Sequence, residues 1–498
     1  MNRRNFLKMT GGGLLATPFL SRQVWAAEAG MPLPIPPILD VDGIGGTVID
    51  AVPSKHNFGS LRTTPTLGFS QSYLGPTLRM KRGHTAKIKV GNRTNRAITA
   101  HWHGLHVPGS IDGGPQLAFA PGQTWSPELE IDQPASTLWY HSHVHGETAD
   151  QVYAGLAGML LIDDPQSGSD RLPADYGVDD LPLIIQDKAF DDAANLIYIK
   201  RGPSLMHGFR ANQIIVNGAV RPAAVVPAGL TRLRILNASN ARIYHFRFED
   251  DRTFHQIASD GGLLPAPISM TELSLAPAER AEILVDFGSA EKVRLLSGPD
   301  LNDPMGGGMM GRMMGRMMGG QVASPENVEG LNEFEVMTFI PDRARASSIN
   351  VVPSTFSSSP RPNFGEPIRR RTFRLDMHAG GGMMMRGGTD LMGINGRSMA
   401  MDRIDEKVRI GETEVWEVIA DEMAHPFHVH GTSFQVLSQN GKNLNFDQVG
   451  MKDVFLVDGR AEILVQFNQP ASPQTPYMYH CHILEHEDAG MMGQFTVT

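Results

Sequence analysis

The feature that most narrows the fold is an order of short alternating runs that recurs three times. AKIKVGNRT at 86–94, TRLRILNAS at 231–239 and TEVWEVIAD at 413–421 each alternate apolar with polar residues before a turn-forming residue. Side chains with a period of two belong to half-buried strands. Each run is followed by a further candidate strand: AITAHWHGL, RIYHFRF and HPFHVHGTSFQV respectively. AEILVDF at 281–287 and AEILVQF at 461–467 then close the second and third copies. Long helical periodicity is scarce. The pattern predicts an all-β chain of three β-sandwich domains, over 28–165, 175–345 and 370–498, joined by polar linkers such as RASSINVVPSTFSSSPRP. A length of 498 residues suits about three domains.

The first residues, MNRRNFLKMTGGGLLATPFL, carry paired Arg3 and Arg4, then a weakly apolar glycine-rich stretch, then VWA before Ala27. This resembles a twin-arginine export signal over 1–27, which implies passage through the twin-arginine translocase to the periplasm. No later stretch reaches 18 uninterrupted apolar residues, so a membrane span is not expected. With 44 basic against 53 acidic residues and no basic blocks, nucleic acid is not expected as a partner. In an oxidising compartment the single cysteine, Cys481, has no internal disulfide partner and needs another purpose.

Four segments supply one. HWHG at 101–104, HSHVHG at 141–146, HPFHVHG at 425–431 and HCHILEH at 480–486 each contain His-x-His. Residues two apart on a strand project to the same face, their Cα atoms about 6.6 Å apart, within reach of neighbouring metal ions. Zinc hydrolases also use such pairs, but zinc gives no reason for a cysteine inside the fourth. Two imidazoles, a thiolate and a weak axial thioether make a blue-copper site, and His425, Cys481, His486 and Met491 form that set. Cys481 faces one side of its strand while His480 and His482 face the other. The three histidines of the middle copy, His207, His245 and His255, are scattered and read as structural.

Taken together, HWHGL, HSHVHG, HPFHVHG and HCHILEHEDAGMM resemble the four copper-binding motifs of multicopper oxidases of the three-domain laccase-like branch, and most of all the bacterial copper-efflux (cuprous) oxidases. The resemblance implies cupredoxin-like Greek-key sandwiches and four copper ions. It implies a type 1 copper on His425, Cys481, His486 and Met491, and a type 2 copper on His101 and His428. His103, His141, His143, His430, His480 and His482 would hold the type 3 pair, with His145 a neighbour outside the pattern. It further implies that Asp112 and Glu487 relay protons while O2 is reduced to water by four electrons.

The electron donor is read from the methionines. Of 27, many fall in MGGGMMGRMMGRMMGG at 305–320 and MHAGGGMMMRGGTDLMG at 377–393. Thioethers select Cu(I), so the expected reaction is oxidation of Cu(I) to Cu(II) in copper homeostasis. Asp421 and Met423 share a face with His425 if their segment is extended, and by resemblance Met385 and Asp390 complete a cuprous-ion site. A flexible linker is the alternative reading of the Met-rich run. Three other readings stay open: a laccase-like oxidase of phenols or aromatic amines, a copper-free periplasmic division or assembly protein, and a copper-storage protein. A monomer is expected.

Overall fold

The computed structural model describes residues 30–41, 46–59, 62–300, 302, 333–356, 362–377 and 392–498. The export signal over 1–27, the methionine run 305–320, Met385 and Asp390 lie outside the described residues.

The chain is all-β, and the alternating runs are strands. AKIKVGNRT lies on Thr85–Asn92, TRLRILNAS on Leu230–Asn237 and TEVWEVIAD within Thr413–Val429. In the first of these Ala86, Ile88 and Val90 are buried while Thr85, Lys87 and Lys89 are exposed, as an amphipathic strand requires.

Three large apolar cores organise the sheets. In the first, Ile49, Leu78, Ile88, Trp102, Leu138 and Leu160 pack together. They come from two sheets: one orders Ile38–Asp40, Thr77–Lys81, Ala157–Asp163, Ser136–His141 and His101–His103, and the other contains Thr64–Phe69, Thr47–His56 and Thr85–Asn92. The second core, with Leu233, Phe246, Ile283 and Phe339, lies between an eight-stranded and a five-stranded sheet. The third, with Trp416, Phe427, Ile463, Tyr479 and Phe495, belongs to a ten-stranded sheet whose 17-residue strand Thr413–Val429 pairs with both Val454–Gln466 and Tyr477–Cys481. Fully burying a side chain of this size contributes about 1.5–3 kcal/mol.

Two of these sheets present histidines. His101 pairs with His141 and His103 with Trp139 at the edge of the first sheet. In the third, His428 pairs with His480 and Phe427 with Cys481. Short helices close the ends: Thr148–Ala154, Pro203–His207 and Leu484–Asp488. Asp488 fixes two of them together by accepting hydrogen bonds from the backbone of Thr148 and Ala149 at 3.0 and 3.1 Å. Among the described residues no helix is long and apolar enough to cross a membrane.

Candidate metal centre

The two histidine-bearing edges meet, and the meeting is buried. His143 Nε2 lies 3.3 Å from His480 Nε2, and His430 Nε2 lies 3.2 Å from the same atom. His103 Nδ1 is 3.4 Å from His141 Nε2. Donor atoms of His101, His103 and His141 fall within 4.8 Å of one another, as do those of His101, His428 and His430, and those of His143, His430 and His480. His482 joins through its ring, 5.1 Å from that of His103 and 5.6 Å from that of His141.

Most rings are held by one nitrogen so that the other faces the cluster. His101 Nδ1 donates to the Asp112 carbonyl at 2.9 Å, His141 Nδ1 to that of Ser142 at 2.9 Å, and His428 Nδ1 to that of Asp453 at 2.7 Å. His480 Nδ1 reaches the Cys481 carbonyl at 3.0 Å and His430 Nδ1 the Asp112 Oδ2 at 2.8 Å. This arrangement of a carbonyl or carboxylate behind the ring is what fixes tautomer and aim in metal-binding histidines.

The free nitrogens fit a cation. His101 Nε2, His428 Nε2 and both ring nitrogens of His482 are buried without a hydrogen-bond partner. Burial pushes His103, His141, His143, His428, His430 and His482 well below the usual imidazole range, and His480 down to about 3. Neutral imidazoles whose lone pairs converge at 3.2–3.4 Å, away from water, are uncompensated until a cation sits among them.

Across the Tyr477–Cys481 strand is a second donor group. His425 Nδ1 is 3.3 Å from Cys481 Sγ, His486 Nδ1 is 3.7 Å from it, and the two Nδ1 atoms are 3.3 Å apart. Cys481 is buried in the third core with Met491, whose carbonyl accepts the Cys481 N–H at 3.1 Å. A thiolate between two imidazoles is a soft set suited to copper, and Met491 brings a thioether to the same apolar core. Burial raises the thiol, so the anionic form needs a cation at hand. Cys481 thus joins the two groups: its side chain faces one and its flanking His480 and His482 the other.

Asp112 and Glu487, the two carboxylates expected from the sequence, both touch the cluster. Asp112 Oδ2 lies 3.3 Å from His101 Nδ1 in addition to its bond with His430. Glu487 places one oxygen 3.3 Å from His143 Nδ1 and the other 3.3 Å from His480 Nδ1, and burial pushes its carboxyl well up.

The proposed cuprous-ion residues do not assemble as the regular strand would have them. Ala420 pairs with Gly459 but His425 pairs with Val457, so a bulge interrupts the alternation between them. Asp421 is exposed and ion-paired with Arg374, while Met423 packs partly buried against the third core. His145 is exposed and outside every donor group among the described residues. His245 and His255 bond the hydroxyls of Ser274 and Ser269, and His207 ends the Pro203–His207 helix.

Sequence reasoning missed Asp453, which lies in MKDVFLVDG with no histidine near it. Its Oδ1 is 3.1 Å from His103 Nε2, and with His103 and His428 it forms a further donor group. It also missed the backbone of Met206, whose carbonyl lies 3.1 Å from His486 Nε2. A carbonyl leaves no signature in sequence.

The multicopper oxidase family models match residues 52–167 and 367–498, the two segments that hold every donor described. The chain belongs to the multicopper oxidase family. Among solved structures it is similar to a bacterial laccase-like multicopper oxidase, CueO from Ochrobactrum sp., at 38% identity and a TM-score of 0.82, over 94% of this chain and 100% of that one. It is also similar to the multicopper oxidase of Campylobacter jejuni, a metallo-oxidase, at 26% identity and a TM-score of 0.79, over 94% and 95%.

The curated relatives carry a different description. Cell division protein FtsP of Dickeya dadantii is 37% identical over 99% of this family member and 98% of the relative. FtsP of Escherichia coli K12 is 35% identical over 100% and 99%. This overturns the expectation of a cuprous oxidase working in copper homeostasis. That expectation rested on the methionine-rich segments and on the resemblance to copper-efflux oxidases, neither of which fixes a biological role. Donor atoms decide which ion a cavity suits; the use a cell makes of the fold is a separate matter.

Proposed function

We propose that this multicopper oxidase family member acts in cell division, as an exported protein of the cell envelope. The observation that carries the reading is identity of 35–37% with cell division proteins along the whole chain, not along the histidine motifs alone. Export by the twin-arginine translocase, read from residues 1–27, accords with it. Deleting the gene from its host and measuring cell lengths tests the reading. Longer, undivided cells that return to normal on re-expression are the expected result; an unchanged length distribution overturns it.

A second reading concerns cofactor content, and the intact donor set favours it: the chain holds copper. His425, Cys481 and His486, with Met491 as axial group, would form the type 1 site. His101 and His428 would hold a type 2 ion, and His103, His141, His143, His430, His480 and His482 a type 3 pair. Copper there would supply one-electron redox chemistry. Within this reading Asp112 aims the rings of His101 and His430, and Glu487 does the same for His143 and His480. These carboxylates also stand where protons could be passed to the cluster. Metal analysis of the purified chain checks the reading, with about four coppers expected. Oxygen uptake with a small phenol then asks whether the loaded protein is also an oxidase. The two readings separate cleanly, because a variant lacking Cys481 and His428 side chains can be scored for cell length and for copper independently.

A further inference from the structure

We infer that Arg280, from the middle sheet that lends no histidine to the cluster, is a positioning residue for it. The inference rests on the copper-holding reading above.

Arg280 is completely buried, and its guanidinium grips Asp453 with both arms: Nη1 to Oδ1 at 2.7 Å and Nη2 to Oδ2 at 2.6 Å. A two-armed bond fixes the carboxylate plane as well as its position. Asp453 turns that fixed plane toward the cluster, with Oδ1 3.1 Å from His103 Nε2 and 3.8 Å from His428 Nδ1, a ring that the Asp453 backbone carbonyl also holds, at 2.7 Å. One residue of the middle sheet therefore sets the aim of one ring from the first sheet and one from the third.

The guanidinium is itself over-determined. Its Nε donates to the Thr137 carbonyl at 3.1 Å, on the strand that ends in His141, and Nη1 and Nη2 reach the carbonyls of Ala278 and Asp260 at 3.0 and 3.2 Å. Its backbone N–H bonds Asp260 Oδ1 at 2.7 Å. Lys452, 2.9 Å from both Asp260 and Glu279, balances the remaining buried acid charge.

The same pair explains the glycine of HWHG. Gly104 follows His103 with φ at +89°, and a Cβ there would lie 2.6 Å from Asp453 Oδ2 and 3.0 Å from Arg280 Nη2. The side-chain-free position lets the carboxylate and guanidinium come up behind the histidine. The His425–Cys481–His486 group draws no residue from this network, so it serves as an internal reference.

The test uses the full-length chain loaded with Cu(II). Copper retention against a chelator, the electron paramagnetic signal of the non-blue copper and the visible band of the Cys481 site are recorded for wild type, Arg280→Met and Arg280→Lys. Removing a residue that orients ligands lowers metal affinity about 10–100-fold. That loss is expected for the non-blue coppers in Arg280→Met, with the visible band kept and a partial recovery in Arg280→Lys. If Arg280→Met does not fold, Arg280→Lys alone must show the same selective loss. Equal loss at both groups, or none at either, overturns the positioning role. Wild-type protein that takes up no copper sinks the copper-holding reading and this inference with it. Loaded wild type with indifferent variants sinks this inference alone.

Discussion

Glu282 offers the most quantitative check on how the sheets are held together. Its carboxylate is buried and takes Arg232 Nε at 2.8 Å, Arg234 Nη1 at 3.0 Å and the Thr137 hydroxyl at 2.7 Å. Burial raises its pKa, but Arg232 and Arg234 together outweigh burial and hold it at about 2, against an ordinary 4.5. The gap corresponds to about 3 kcal/mol of folding free energy. Because the folded value is the lower one, that stability is present above about pH 4.5 and is lost as pH falls toward 2, with about 2 kcal/mol gone by pH 3. Glu282→Gln leaves Arg232 buried without its carboxylate and should cost about 3–5 kcal/mol at pH 7. Arg234 keeps its own partner, with Nε 2.7 Å and Nη2 2.9 Å from Asp180. Urea unfolding of the copper-free chain, wild type beside variant, measures both quantities. The difference between them should shrink by about 2 kcal/mol from pH 6 to pH 3. A variant within 1 kcal/mol of wild type at pH 7, or a difference that ignores pH, would refute the argument that the two arginines dominate this carboxylate.

Other outcomes follow from single contacts. Cys481→Ser should abolish the blue band while copper on the histidine cluster persists, which metal analysis with visible spectroscopy reads directly. Gly158→Ala should lower the thermal midpoint, because a Cβ there would sit 2.4 Å from the Tyr140 ring and hydroxyl; overpacking of this kind costs about 1–3 kcal/mol. Tyr198→Phe removes the hydroxyl that donates to Glu485 Oε1 at 2.6 Å, leaving a buried carboxylate short of a donor at a cost of about 1–3 kcal/mol by denaturant titration. Asp421→Ala breaks only an exposed pair with Arg374 and should change stability by less than about 1 kcal/mol, so a large loss would mean that the bulge depends on that pair.

What could be read from the sequence, and what could not, divides along physical lines. Strand period is local, so the runs at 86–94, 231–239 and 413–421 announce themselves, and His-x-His pairs on such strands announce shared faces. Where a strand departs from its period the reading fails: the bulge between Ala420 and His425 takes Asp421 to Arg374 and away from the face that an unbroken strand would give it. Residues that act from a distance in sequence leave no such mark. Asp453 and Arg280 are 173 positions apart, yet their carboxylate and guanidinium meet at 2.6 Å behind His103.

The same division explains why donor chemistry was legible and biological role was not. Copper preference follows from a few atoms, and those atoms are concentrated in four short motifs. A role in division would follow from surfaces that partners recognise, which are spread over the sheets and carry no fixed spacing. The comparison with the FtsP proteins bears on this because the match spans 99% of the chain, the middle sheets without histidine ligands included. Arg280 lies in that middle region. A chain under pressure only to keep its fold would need Arg280 as the counterion of Asp453 and Asp260. A chain that also holds metal would need it for aim, and selective loss of the non-blue copper is the measurement that separates those two needs.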